Sequence, residues 1–212
     1  DWSSDVCSSD LKQVGQNRPF WQAHFSKLQA DYSFLRAVSL DDFVFGLNLV
    51  DFHNFIRVDA DELTYPLHVI LRYEIERDLF SGALAVADLP QVWNAKMQEY
   101  LGITPPDDAL GVLQDVHWSG GSFGYFPSYT LGALYAAQFY RQARLDVAGM
   151  EAALAAGDVG PLVGWLRAKI HQPCSRWRTD ELAQRATGES LNPHYFIDYA
   201  REKYSRLYRL ST

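Results

Sequence analysis

From Gly111 to Gly132 the chain reads GVLQDVHWSGGSFGYFPSYTLG, a segment that gathers Gln114, Asp115, His117, Trp118, Tyr125 and Tyr129. His117 and the two tyrosines are side chains that can donate a hydrogen bond to an oxygen gaining negative charge during a reaction, without being consumed. Gly120, Gly121, Gly124 and Pro127 interrupt any helical or strand period, so the segment is expected to be a shaped loop leading into a helix. Loops of that kind commonly carry binding and catalytic groups. The plainer reading is an aromatic-rich wall of the core. Upstream, Arg57 carries a permanently charged planar fork that fits a carboxylate through two parallel hydrogen bonds. An arginine at a helix start is otherwise solvated or paired with a nearby acid, here Asp61.

Two multi-residue motifs tie these residues together. Ile56, Arg57, Ala60 and Asp61 spell IRxxAD, and Gly111, Gln114, Asp115, His117 and Trp118 spell GxxQDxHW, followed by GYFPSYTLG. In this order they resemble the carboxypeptidase Taq family, the M32 metallocarboxypeptidases, from about Val14 to the C-terminus. The resemblance implies a helical lobe of a gluzincin-like metallopeptidase, peptide substrates, a divalent metal (zinc) in the complete enzyme and a homodimeric complete protein. In that family the metal sits on an HExxH helix with a third ligand from a HESQ-type motif, and the HExxH Glu and the metal activate water. The six histidines here are 24, 53, 68, 117, 171 and 194; none is followed by Glu and none lies four residues from another, whereas a zinc helix needs that spacing. The chain is therefore expected to be the C-terminal part of such an enzyme, without the metal-binding half, holding no metal and inactive alone.

Composition narrows the alternatives. With 212 residues, 48% hydrophobic and 14% aromatic, the chain can bury a sizeable core. A formal net charge of -7 and the lack of a basic stripe argue against a nucleic-acid surface. No apolar run approaches the roughly 18 residues of a membrane span. Cys7 and Cys174 are the only cysteines, so no disulfide framework is expected and a reducing, cytoplasmic location follows. Cys174 has His171 near it in sequence but no third partner, which argues against a nucleophilic thiol. Residues 1–11, DWSSDVCSSDL, repeat Ser-Ser-Asp and carry no basic region before an apolar one; they read as a non-native, adapter-derived tail rather than a signal peptide.

The elements that must position the site are all helical. Phe20, Trp21, Phe25, Leu28 and Tyr32 recur at helical spacing within 12–32, with Pro19 near the first turn. Ser39 reads as an N-cap with Asp41 and Asp42 in the first turn of a helix reaching Val50. Asp59 to Glu62 resembles a capping box opening a helix to about Phe80, with Leu63, Leu67, Ile70, Leu71 and Leu79 as its apolar face. Pro66 either kinks that helix or starts its regular part. Further helices are expected over 89–100, 131–144, 146–156, 161–171, 180–186 and from 193 to 208, the last with Tyr195, Phe196, Tyr199, Tyr204, Leu207 and Tyr208 on its apolar side. No segment has a period of two, so the fold is mainly α with little or no sheet, and 12–212 reads as one lobe.

Two functions from different classes compete. One is the C-terminal portion of a metallocarboxypeptidase that releases single residues from peptide C-termini. There His117 with Tyr125 or Tyr129 would steady the oxyanion, Arg57 would serve the substrate carboxylate directly or by ordering the pocket, and Gln114 and Asp115 would order the loop. Asp115 is then the expected partner of a His or Arg side chain. The other is a non-catalytic helical scaffold or interaction module, which gives no reason for Arg57 and the QDxHW block to occur together.

Overall fold

Ser39 accepts a hydrogen bond from the Asp42 backbone N–H at 3.0 Å and so starts a helix where the sequence placed its cap. The computed structural model describes residues 9–210, apart from the side chains of 9–11 and Cys174. Its α-helices are α1 Arg18–Asp31, α2 Leu40–Leu47, α3 Tyr65–Ser81, α4 Leu89–Leu101, α5 Pro127–Asp146, α6 Met150–Ala155, α7 Gly160–Leu166, α8 Thr179–Thr187 and α9 His194–Tyr208. The chain is 65% helical with no strand among the described residues, which makes it mainly α. Cys7 and most of the presumed tail lie outside the described residues, as does the thiol of Cys174; the backbone of 9–11 belongs to a π-helical turn, Ser9–Val14.

Two compact units form. One comprises Leu49–Leu131, the other the residues up to Asn48 together with Gly132 onward. In the latter, Phe139, Met150, Leu154, Leu162, Trp165 and Leu182 share one core. Gln138, 1% exposed, knits α5 to the turn before α9: it donates to Thr187 Oγ1 at 2.9 Å and to the Ser190 carbonyl at 3.1 Å, and it accepts from the Asn192 N–H at 2.9 Å. On α9 the buried side holds Phe196, Ala200, Lys203 and Tyr204 rather than tyrosines throughout.

The Leu49–Leu131 unit is built on α3 against α4, with Leu71 and Ile75 packed among Trp93, Met97 and Leu101. Pro66 falls in the first turn of α3, where a missing N–H leaves no bond unmade, so the regular helix starts there rather than kinking. The N-cap position, Thr64, makes no side-chain cap bond, and the turn ahead of it is held by Asp61 rather than Asp59. The Asp61 carboxylate accepts from Leu63 N at 2.9 Å, from Thr64 N at 3.0 Å and from Thr64 Oγ1 at 2.7 Å, holding the turn that feeds α3. The inward face of α3 also differs from the apolar stripe read in the sequence. Ile70 is partly exposed, whereas His68, Arg72 and Glu76 are buried beside Val69, Leu71 and Ile75. α4 ends at Gly102, whose φ of 72° is a left-handed C-cap that favours glycine.

Asp61→Ala removes the acceptor that organises this turn, and a loss of about 0.5–2 kcal/mol is expected on the scale of other cap deletions. Urea unfolding of the two proteins measures it, and equal midpoints would show that the turn holds without the carboxylate.

Candidate active site

Three separated segments of the Leu49–Leu131 unit converge on one carboxylate. Asp115, in the loop before α5, accepts from Arg57 Nε at 3.0 Å and Nη2 at 2.7 Å through Oδ1, and from Arg72 Nε at 2.6 Å through Oδ2. Arg57 comes from the 3₁₀ turn Arg57–Asp59, and Arg72 from the second turn of α3. Their side chains are 6% and 0% exposed. Arg57 is therefore neither solvated nor paired with Asp61.

Charges this deep are tolerable only when their remaining hydrogen-bonding groups are met. Arg57 Nη1 donates to the Tyr65 hydroxyl at 2.9 Å; Arg72 Nη1 donates to the His68 carbonyl at 2.6 Å and Nη2 to Gln114 Oε1 at 2.8 Å. The same Gln114 oxygen accepts from the Arg57 backbone N–H at 2.8 Å, while its amide nitrogen donates to the Phe55 carbonyl at 3.0 Å. Gln114 is thus the clasp between the IRxxAD turn and the loop. Aromatic faces complete the lining: the Arg72 guanidinium lies 4.5 Å from the Trp93 ring centre, and that of Arg57 lies 5.0 Å from Tyr129.

Electrostatics follow from this geometry. Burial alone would raise the Asp115 carboxyl, but Arg72 and Arg57 outweigh it and hold it below the usual range. Burial pushes Arg72 down to about 10 against the pull of Asp115. His68, fully buried with no hydrogen-bond partner on either ring nitrogen among the described residues, is lowered to about 4 by burial and then by Arg72.

Outward of the ion pairs lie the hydrogen-bonding groups. His117 Nε2 is 3.0 Å from the Tyr129 hydroxyl, and its ring is 4.3 Å from that of the buried Phe126. Burial, then Arg57 and Arg72, lower the imidazole's proton affinity against the opposing pull of Asp115, and burial raises that of the Tyr129 phenol. Tyr125 stands at the edge, its ring 5.3 Å from that of Tyr129. The loop carrying these groups is anchored to α3 by Glu76, which accepts from Trp118 Nε1 at 3.0 Å and from the Gly124 N–H. Gly124 has φ 74°, a left-handed conformation that places its N–H on that carboxylate at no steric cost to glycine.

Arg57, Gln114, Asp115, His117 and Tyr129 therefore belong to one connected cluster, with Tyr125 beside it. Arg72, Glu76 and Tyr65 are members that pattern reading missed. Their signal was the run His68, Arg72, Glu76 at four-residue spacing on a helix whose neighbouring positions are apolar. Among the described residues no group of three or more His, Cys, Asp or Glu is placed to hold a metal ion. The cluster does not fit a resident metal. No helix among them is long and apolar enough to cross a membrane.

In this helical unit the turn that carries IRxxAD and the loop that carries GxxQDxHW are joined through Arg57, Gln114 and Asp115. The family model of carboxypeptidase Taq (M32) metallopeptidase matches residues 11–204, and the chain belongs to that family. It is 50% identical over 198 residues to carboxypeptidase 1 of Bacillus subtilis, covering 93% of this chain and 39% of that protein. Against thermostable carboxypeptidase 1 of Thermus thermophilus the identity is 45%, covering 92% and 38%. The crystal structure of the M32 carboxypeptidase from Deinococcus radiodurans superposes with a TM-score of 0.93 at 40% identity, covering 98% of this chain and 43% of that one. The chain thus spans about two-fifths of the length of the relatives it matches.

Asp115→Asn keeps the shape but leaves two buried guanidiniums without their counter-charge, and a loss of about 3–5 kcal/mol is expected. Because the folded-state carboxyl titrates below its unfolded value, this stabilisation is complete above roughly pH 4 and disappears as the pH falls through the lowered value. Denaturant unfolding at pH 7 measures the loss; a near-neutral substitution would show that the arginines are stabilised otherwise.

His68 yields a second acid limb. Its lowered value of about 4 means that the unfolded chain takes up a proton below about pH 6.5 that the folded chain refuses. Stability is complete above that pH and declines by about 3 kcal/mol as pH drops towards 4. In His68→Leu this part of the decline is expected to vanish, and an unchanged slope of unfolding free energy between pH 6.5 and 4 would assign it to other groups.

Proposed function

We propose that this chain is the C-terminal portion of an M32 metallocarboxypeptidase that releases single residues from peptide C-termini, and that it forms a substrate-facing wall of the cleft. The observation that carries the reading is the joining of the two motifs: Arg57 and the Gln114–Asp115 pair meet in one buried cluster, and that cluster carries His117 and Tyr129 on its outer side. A scaffold would have no use for charges buried at such cost beneath an edge of hydrogen-bonding groups.

Residue roles follow from accessibility. With its side chain 6% exposed and held by Asp115 and Tyr65, Arg57 acts as a positioning residue that orders the pocket for the substrate carboxylate. Gln114 and Asp115 order the loop. His117 and the tyrosines of GYFPSY form the edge from which a hydrogen bond is supplied where charge develops on the scissile carbonyl oxygen. The metal, zinc in this proposal, has its ligands outside the described residues. The complete protein is a cytoplasmic homodimer acting on peptides, and this chain alone is inactive. Support for further protein surface against this unit comes from Leu113 and Val116, which flank the key residues at 71% and 77% exposure.

The test uses a chimera in which this chain replaces the matching part of the Bacillus subtilis carboxypeptidase 1. Metal-dependent release of C-terminal residues is expected from the chimera, and neither turnover nor a stoichiometric metal from the dialysed 212-residue chain. In the chimera Arg57→Ala should raise KM for free-carboxylate peptides, whereas losing the edge's hydrogen-bond donor to the oxyanion should lower kcat by about 10²–10³-fold with metal content intact. A folded chimera that keeps full turnover in His117→Ala, Tyr125→Phe and Tyr129→Phe alike would mean that the loop is only a wall.

A further inference from the structure

The imidazole and two phenols at the edge of the cluster are not in equivalent states. His117 Nε2 faces the Tyr129 hydroxyl at 3.0 Å, whereas Nδ1 is sealed from solvent, has no hydrogen-bond partner among the described residues and lies 3.8 Å from Asp115 Oδ1. A neutral imidazole has one N–H and one lone pair, and the surroundings of each nitrogen decide which is which. With the proton on Nε2, a bare lone pair at Nδ1 would be buried near a carboxylate. With the proton on Nδ1, the positive end of the N–H bond lies on the carboxylate side and Nε2 offers its lone pair to the Tyr129 hydroxyl. Arg57 and Arg72 also bear on the ring, but Asp115 is the strongest charge acting on it. The second arrangement pairs Nε2 with the hydroxyl hydrogen and turns the Nδ1–H dipole towards the carboxylate, an electrostatic contact at 3.8 Å rather than a hydrogen bond.

Tyr125 differs from Tyr129. It is 38% exposed, and among the described residues its hydroxyl makes no hydrogen bond. Its ring meets that of Tyr129 edge to face at 5.3 Å, so both phenols belong to the same edge of the cluster.

We propose that Asp115 holds His117 as the Nδ1–H tautomer, that His117 takes the hydroxyl hydrogen of Tyr129, and that Tyr125 is therefore the tyrosine whose O–H donates to the substrate, while Tyr129 offers only lone pairs. The assignment rests on the carboxypeptidase reading above and divides its labour. A peptide unit has one carbonyl acceptor and one N–H donor. Tyr125 suits the carbonyl oxygen as it gains charge, and Tyr129 suits an N–H. Asp115 and His117 are positioning residues in this scheme, since they act through Tyr129.

Two measurements test it. The first is two-bond ¹⁵N–¹H correlation on the histidine-labelled 212-residue chain at neutral pH, with His117→Gln identifying the signal. The Nδ1–H pattern is expected, with the Nε2 resonance moving in Tyr129→Phe; an Nε2–H pattern would overturn the proposal. The second is kinetics of the active chimera. Tyr125→Phe should lower kcat about 100-fold with KM little changed, as for loss of one oxyanion donor, while Tyr129→Phe should chiefly raise KM. If Tyr129→Phe takes the kcat loss and Tyr125→Phe is silent, this division of roles fails while the site reading stands. If both variants and His117→Ala turn over normally, the site reading itself fails.

Discussion

One carboxylate shared by two arginines governs how the Leu49–Leu131 unit can be built. Asp115 reaches Arg72 across 43 residues of sequence and Arg57 across 58, so a loop, a helix and a 3₁₀ turn are bound to a single point. Desolvating three charges is unfavourable unless every remaining donor finds an acceptor, and that demand recruits Tyr65, the His68 carbonyl and Gln114 in turn. None of these segments can shift alone without leaving a guanidinium facing apolar surroundings. The loop has no strand or helix of its own to keep it in place, and the ion pairs substitute for one.

The cluster has depth as well as breadth. Arg57, Arg72 and Asp115 form its interior, with Phe126, 1% exposed, lying under both guanidiniums at 5.7 and 5.6 Å from its ring centre. His117, Tyr129 and Tyr125 form the rim. The interior fixes the positions and polarises the groups, and in the proposed function the rim is the part that meets a second molecule. This separates residues that must be rigid from residues that must be reachable.

Much of this was legible in the residues themselves. Gln114, Asp115, His117 and Tyr129 stood out because glycine and proline broke every period around them, which leaves side-chain chemistry as the reason for their presence. The Ser39 cap and the Gly102 stop were local signals, and local signals carry over directly. What escaped was the inward face of α3. Counting apolar residues selects Ile70 and passes over Arg72 and Glu76, because an arginine is scored as solvent-seeking until its partner is known, and that partner lies beyond the helix in sequence. The capping box at Asp59 does not form for a related reason: Asp59 and Asp61 carry the same chemistry, and only the path of the chain decides which carboxylate meets Thr64 in the turn before the helix.

The Glu76 anchor bears on what happens when a ligand arrives. Trp118 and Gly124 are held by the two oxygens of one carboxylate, so the turn between them, with Gly120 and Gly121 inside it, has both ends fixed before any encounter. Ordering a backbone residue costs about 1–2 kcal/mol, and here that cost is met once, during folding. A site assembled in this way is preorganised. Association then forfeits little further chain freedom, and the binding free energy that a floppy glycine-rich loop would dissipate on its own ordering is left to distinguish one ligand from another.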